Sequence, residues 1–381
     1  MPSYYEFFAG GGMARAGLGN GWRCLFANDI DAKKGASYAT NWGREVLEVK
    51  DIGEIRASDL PGRADLAWAS FPCQDLSLAG EQAGLNGDRS GTFWLFWNLI
   101  KGLVAEGRTP EVIVLENVCG ALTSHGGRDF AAIGGALVDG GYRFGALVID
   151  AIHFVPQSRP RLFIVAIRNE LSIPNSLTSA ISNPHWHPAN LVSAQDKLQR
   201  NLKIKWIWWK LPPPPQRKSR LADIIEFDQD VVHWHTASET ERLLEMMSEV
   251  NRRKVANAIG ARKQVVGTVY RRTRSDHSGT RRQRAEIRFD EVAGCLRTPV
   301  GGSSRQTVMI IDGSNSKSRL LTPRETARLM GLCDGYALPA KQNDAYHLTG
   351  DGVVVPVVRF LASHILESLV HERSAGAKQT A

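Results

Sequence analysis

Over residues 1–168, short apolar runs alternate with helix-like segments, and the apolar runs end in glycine or polar clusters. Residues 4–9, 22–28, 65–71, 111–115, 143–152 and 162–167 read as strands; residues 13–18, 93–105 and 130–138 have helical apolar spacing. A strand followed by a helix and another strand returns in the same direction, so this alternation predicts a mostly parallel sheet covered by helices. In such sheets ligands bind beyond the carboxyl ends of the strands. Glycines 10–12, Asp29, residues 72–74 and the pair Glu116-Asn117 all fall at strand ends, so the ligand edge is expected to carry them.

Beyond residue 170 the rhythm is lost. The stretch 203–215 closes with four prolines, Pro212 to Pro215, which continue neither a helix nor a central strand. Trp206, Trp208 and Trp209 precede them and are expected in a core or hinge, with base stacking as the alternative. Residues 238–258 and 318–330 read as helices, and residues 353–358 lead into a last amphipathic helix over 359–370. A chain of 381 residues has room for two domains. No apolar run approaches the roughly 18 residues of a membrane span, and the first residues lack the basic and apolar regions of a signal peptide. Cys24, Cys73, Cys119, Cys295 and Cys333 are scattered, with no Cys-x-x-Cys pair, which argues against a disulfide framework and a zinc site. A reduced, cytoplasmic protein without a resident metal is expected.

The net charge of +8 is concentrated. Residues 251–288 hold 12 of the 47 basic side chains and two of the 39 acidic ones, Asp276 and Glu286; the rest of the chain carries 35 basic and 37 acidic. This is either a local polyanion-binding surface or a solvated arginine-rich loop.

Four constellations carry chemistry. The turn Phe7-Phe8-Ala9-Gly10-Gly11-Gly12-Met13 lets backbone approach a ligand, and Asp29, 19 positions after Gly10, has the spacing of a ribose-binding carboxylate. A dinucleotide fingerprint, Gly-x-Gly-x-x-Gly, fails at Arg15 and at Trp22, so the turn suits a nucleoside without a pyrophosphate. Pro72-Cys73-Gln74 places a cysteine at the ligand edge, either a nucleophile or a small buried side chain. Glu116 at the mouth of a buried strand has the setting of a desolvated proton donor; a loop or capping carboxylate is the alternative. Arg159 and Arg161, two apart in extended backbone, share a face and could clamp an anion.

In order, Phe-x-Gly-x-Gly, Pro-Cys-Gln, Glu-Asn-Val and Gln-x-Arg-x-Arg resemble the DNA (cytosine-5) methyltransferase family. So do Asp88-Arg89-Ser90-Gly91-Thr92-Phe93, the segment Gly294-Cys295-Leu296-Arg297-Thr298-Pro299, the helix start Thr322-Pro323-Arg324-Glu325, and the turn Gly350-Asp351-Gly352-Val353. The resemblance implies an α/β, Rossmann-like S-adenosylmethionine-dependent methyltransferase domain over 1–225 and 340–381. A smaller, mostly irregular or β target-recognition domain with its hinge would occupy 226–339. S-adenosylmethionine would meet Phe8, Ala9, Gly10, Gly12, Met13, Asp29, Ile30, Asp51, Ile52, Pro72, Phe93, Asp351 and Val353. The family often has Asn where Asp351 stands.

By the same resemblance, Cys73 adds to C6 of a flipped-out cytosine, Glu116 holds its N3 edge, and Arg159 and Arg161 position the base and its phosphate. Gln74 and Ser77 would contact the opened duplex, and Arg271, Arg272, Arg274, Arg281, Arg282, Arg284, Arg288 and Arg297 would contact phosphates or guanines. Double-stranded DNA is the implied substrate, a monomer suffices, and a cognate restriction endonuclease is the implied partner. The alternatives are an RNA cytosine-5 methyltransferase, a catalytically silent DNA-binding relative, and a nucleotide-dependent oxidoreductase.

Overall fold

A computed structural model describes residues 1–72, 91–228, 232–275, 279–299 and 305–370. Cys73, Gln74 and Ser77 lie outside the described residues. The chain divides into two compact units. The larger holds Met1–Asp150, Pro160–Pro214 and the chain from Val353 on; the smaller holds Ala151–Arg159 and Pro215–Gly352. The division thus falls at 214/215 and 352/353 where 225/226 and 339/340 were expected, and residues 151–159 go with the smaller unit.

In the larger unit, β1 (Ser3–Phe7), β2 (Arg23–Asp29), β3 (Leu47–Val49), β4 (Leu66–Ala69), β5 (Val112–Val118), β6 (Tyr142–Asp150) and β7 (Pro160–Arg168) form one sheet in the order β3-β2-β1-β4-β5-β7-β6. The pairs from β3 to β5 are parallel, and β7 runs antiparallel to both neighbours. The start of β7 therefore shares an edge with the ends of β1, β2, β4 and β5. This is the Rossmann-like arrangement expected from the strand–helix alternation. Among the described residues its α-helices are α1 (Met13–Leu18), α2 (Ala32–Trp42), α3 (Thr92–Ala105), α4 (Arg128–Asp139), α5 (Ala189–Asp196) and α6 (Arg200–Ile204), with a last one over Val355–Leu361. Central strands read as nearly continuous apolar runs because both faces are covered. Tyr5, Phe7, Phe96, Ile113, Leu115 and Leu137 pack into one buried cluster.

Among the described residues of this unit, a two-residue pair also forms between β8 (Thr178–Ser179) and β9 (Trp208–Trp209). Trp209 is fully buried and donates its indole N–H to Val165 O at 3.2 Å. Trp206 packs on Phe130 and Phe144. The tryptophan cluster is a core patch.

The smaller unit has an antiparallel sheet of β10 (Val265–Ser275), β11 (Arg281–Arg288), β12 (Thr307–Asp312) and β13 (Asn315–Leu320), ordered β11-β10-β12-β13. Its helices are α7 (Ala237–Glu245), α8 (Glu249–Gly260), α9 (Pro323–Leu329) and α10 (Gln342–Asp351). Two expectations are corrected. The helix expected over 238–258 is two helices with a break around Ser248. Residues 318–320 are strand, and the helix begins only after Thr322, whose hydroxyl caps Glu325 N at 3.1 Å while the Glu325 carboxylate accepts from Thr322 N at 2.7 Å. That reciprocal box satisfies two otherwise orphaned donors and fixes the start.

The run Gln342–Val370 reaches the length and apolarity of a membrane span by length and composition alone. It is interrupted between Asp351 and Val355, however, and 56% of its most apolar window is buried inside the protein. Val357, Val358, Leu361, Ile365 and Leu366 in its last part are buried as a core helix's would be.

Candidate active site at the sheet edge

The glycine turn leaves β1 through a strained residue. Phe8 has φ 58, in the left-handed region that disfavours side chains, at a cost of about 1–3 kcal/mol. Gly12 follows at φ 77, and a Cβ there would lie 2.4 Å from Trp42 Nε1. Contacts to β2 and α2 hold the turn, and Gly12 N donates to Ala9 O within it at 2.8 Å. Ala9 N donates to Asn28 O at 2.8 Å, Gly10 N donates to Asp29 Oδ2 at 2.7 Å, and Trp42 Nε1 donates to Gly11 O at 3.1 Å.

Asp29 is buried at the end of β2, and its other oxygen accepts from Asp31 N at 2.8 Å. Burial raises its carboxyl above the ordinary range, against Lys34 and the two backbone N–H groups. Ile30, next to it, is 66% exposed, which leaves an apolar side chain open at the edge. Asp51 is exposed and accepts from Gly53 N at 2.8 Å, while Ile52 is buried beneath it. Pro72 is half-buried after β4. Phe93 is fully buried, stacked near Trp97 and beside Phe71. Ala9, Met13 and Val353 are also buried. Asp351 belongs to the smaller unit, at the end of α10, where the Thr298 hydroxyl donates to it.

The sequence pointed to the turn but not to what supports it. Arg15 donates to the Tyr38 hydroxyl at 2.9 Å and lies over the rings of Tyr38 and Trp42, at 5.6 and 5.3 Å. Below the turn, Glu6 is 1% exposed and neither carboxyl oxygen has a hydrogen-bond partner. Burial pushes its pKa up to about 8, against the opposing charge of Arg15 and with help from Asp29. A protonated Glu6 is thus the form the fold tolerates. In the unfolded chain the same carboxyl ionises near 4.5. The folded state therefore binds the extra proton between about pH 4.5 and 8, and stability falls as pH rises through that window. Glu6→Gln is expected to remove this fall, a gain of a few kcal/mol at pH 8 and little at pH 4. Urea unfolding of both proteins at the two pH values checks it; parallel profiles would mean that Glu6 is ionised in the fold.

At the other part of the edge, β5 delivers Glu116. Its carboxylate is 6% exposed, and Arg161 Nε at the start of β7 lies 3.3 Å from Oε1. The register places Arg161 beside Val118, which is why the side chains meet. Asn117 Nδ2 donates to Phe71 O at 3.4 Å, tying the end of β5 to the segment that leads to Cys73. Cys119 is the cysteine next in sequence to this pair. Burial pushes its thiol up to about 11, against Arg161, so it is protonated at neutral pH. A carboxylate beside a guanidinium, both drawn from water, presents an acceptor and a donor to the edge of a planar heterocycle.

Arg159 corrects the expected two-arginine clamp. It is 2% exposed, and its terminal nitrogens donate to Leu296 O, Gly350 O and Gly352 O, each at 2.8 Å. Gln157 is likewise enclosed, donating to Leu329 O at 2.8 Å and accepting from Leu296 N at 3.0 Å. Both residues precede β7, so the alternation of strand faces does not apply to them. They bind the 295–297 and 350–352 segments of the smaller unit together.

The arginines of residues 271–288 lie on β10 and β11, which form an antiparallel ribbon. Arg288 closes on Asp290, Nε to Oδ1 at 2.6 Å with a second bond to Oδ2. Arg297 is exposed and helps to line a small cavity with Arg305, Gln306 and Tyr346.

A family model described as C-5 cytosine-specific DNA methylase matches residues 3–367. The Type II methyltransferase M.MspI of Moraxella sp is 25% identical over 366 residues, covering 95% of this chain and 70% of the relative. The Type II methyltransferase M.HhaI of Haemophilus parahaemolyticus is 24% identical over 368 residues, with 96% and 94% covered. Among solved structures, S. pombe Dnmt2 methyltransferase aligns with TM-score 0.60 at 18% identity, covering 97% of this chain and 99% of that one. The Entamoeba histolytica methyltransferase EhMeth aligns with TM-score 0.61 at 15% identity, covering 97% and 99%.

Proposed function

This chain belongs to the C-5 cytosine-specific DNA methylase family, and we propose that it methylates C5 of a flipped-out cytosine in a short duplex sequence through a covalent Cys73–C6 adduct. The observation that carries the proposal is the buried Glu116–Arg161 pair at the ligand edge, on the strand next to the one that ends at Phe71 and Pro72, just before Cys73 in the sequence. It supplies what a cytosine ring needs on its N3 side while a thiolate attacks C6.

The turn and its surroundings fit S-adenosylmethionine. Gly10, Gly12, Asp29 and the open Ile30 provide a close backbone approach, a carboxylate for ribose and an apolar platform for adenine. The buried, unpartnered carboxyl of Glu6 lies below the same turn. When bound, the cofactor supplies an electrophilic methyl group. The chain's residues do the rest. Cys73 thiolate forms the S–C6 bond, and the displaced ring electrons make C5 nucleophilic. As the thiolate adds, N3 takes up a proton from water, the Glu116 carboxylate accepts from that N3–H and from the exocyclic amino group, and Arg161 keeps the carboxylate in place. After methylation a base, with water as the candidate, removes H5 as Cys73 leaves C6. Extruding the cytosine from the stack costs a few kcal/mol, offset by contacts in the pocket. Gln74 and Ser77 are placed by this proposal against the opened duplex.

The smaller unit is proposed to bind and read DNA through its arginines. Neutralising Arg281, Arg282 and Arg284 is expected to lower the salt slope of duplex binding by about 2–3, at roughly 0.9 for each phosphate that is no longer neutralised. Titrations at several salt concentrations check it; an unchanged slope would place these arginines off the DNA. A cytoplasmic monomer acting beside a restriction endonuclease of the same specificity is the setting this proposal fits. Transfer of labelled methyl from S-adenosylmethionine to duplex DNA, with tRNA as the competing acceptor, tests the substrate. Label in tRNA but not in DNA would overturn the proposal.

A further inference from the structure

We infer that Arg272 and Arg274 read guanine in the target sequence, held in reading position by Glu286, while Arg281 and Arg284 on the same ribbon take phosphates. The inference rests on the proposal that this chain acts on duplex DNA. The register pairs Tyr270 with Glu286, Arg272 with Arg284 and Arg274 with Arg282. Alternation then gathers Tyr270, Arg272, Arg274, Arg282, Arg284 and Glu286 on one face. At the inner end of the ribbon the opposite face is core, with Val269, Ala285 and Ile287 buried. Beyond Ala285 both faces are open, so the ribbon projects from its sheet. A two-stranded ribbon is narrow enough to enter the major groove.

Five arginines, Arg288 at its inner end among them, and the carboxylate of Glu286 share that face, and like charges directly across a strand pair repel. Such a face is matched to a polyanion. The arginines on the ribbon are not equivalent, however. Glu286 Oε1 accepts from Arg274 Nε at 2.9 Å and lies 2.8 Å from its Nη2. Its Oε2 lies 3.7 Å from Arg272 Nε, and the Arg272 guanidinium stands over the Tyr270 ring at 5.7 Å. Arg274 is fixed by its hydrogen bond to Glu286, and Arg272 is oriented more loosely by the ion pair and the Tyr270 ring, yet the Arg272 and Arg274 side chains remain 44% and 52% exposed. Bidentate recognition of guanine O6 and N7 demands a fork at a fixed angle, and a carboxylate that already holds the fork reduces the rotamer freedom surrendered on binding. A phosphate needs only a nearby charge. Arg281 and Arg284 are exposed or half-exposed and are not drawn to Glu286 in this way, which suits the second task.

The test uses the whole chain expressed in a methylation-free host, with base-resolution mapping of 5-methylcytosine and duplex binding by the purified protein. Arg272→Ala and Arg274→Ala are each expected to relax one G·C position of the methylated motif, with discrimination there falling about 10- to 100-fold. Arg274→Lys keeps the charge but not the fork, and it is expected to relax the same position as Arg274→Ala, which separates reading from attraction. Glu286→Gln is expected to weaken the same positions to a lesser degree. Arg284→Ala is expected to leave the motif intact and lower the salt slope by about one. An unchanged motif in Arg272→Ala and Arg274→Lys, with a lowered salt slope in Arg272→Ala, would overturn the inference. Absence of 5-methylcytosine with the unaltered enzyme would instead sink the methylation proposal on which it rests.

Discussion

Cys73→Ser is expected to reduce methyl transfer by about 10⁴-fold or more while leaving duplex binding within a few-fold of the parent. Near neutral pH a thiol with an ordinary pKa of about 8.5 is partly ionised, and the thiolate is the attacking species; a serine hydroxyl is not ionised at all. Position 73 contributes nothing else in the proposed mechanism, so affinity for DNA survives. A duplex carrying 5-fluorocytosine at the target sharpens the experiment. Fluorine cannot leave C5 as a cation, so an adduct that has accepted its methyl group cannot collapse. The parent enzyme should remain attached to that duplex after denaturation, and the serine variant should not. If Cys73→Ser is inactive because it no longer folds, as read by circular dichroism, the cysteine is structural and the proposed role fails.

Glu116→Gln is expected to lower kcat by roughly 10²–10⁴-fold, the range associated with a positioned acid–base group, with a much smaller change in DNA affinity. The amide keeps the shape of the side chain at the end of β5, so the strand is preserved. What changes is the pairing, because Arg161 Nε, 3.3 Å away and largely buried, loses an anionic partner. A buried guanidinium facing a neutral amide lowers stability by about 1–3 kcal/mol. These two effects separate the roles. A loss of stability with kcat intact would make Glu116 a structural partner of Arg161, and a loss of kcat beyond the stability change places it on the substrate.

Much of the catalytic edge is legible in the sequence because its signals are local. Apolar runs stop at Gly10, Asp29 and Glu116, and a strand that stops in a polar cluster tells which end of the sheet holds the ligand. Features that depend on distant contacts are hidden. Trp42 donates to Gly11 across 31 positions, and Glu6 gives no sign of being sealed from solvent beneath the turn. The helix Ala32–Trp42 escapes notice although Asp31 caps it by accepting from Lys33 N and Lys34 N. Its few apolar residues hide the period, and only the cap marks it. Arg159 misleads through a rule applied past its range. Two residues apart means one face only inside a strand, and β7 begins after Arg159. The end of the strand Asn315–Leu320 reads as helix because its polar and basic residues carry no alternation strong enough to declare it.

The most direct test of the central claim is base-resolution mapping of 5-methylcytosine in DNA from a methylation-free host that expresses this protein. The account predicts 5-methylcytosine confined to one short motif, at C5 of a single defined cytosine, and lost with Cys73→Ser. Soluble, folded protein that leaves the host DNA without 5-methylcytosine would contradict it.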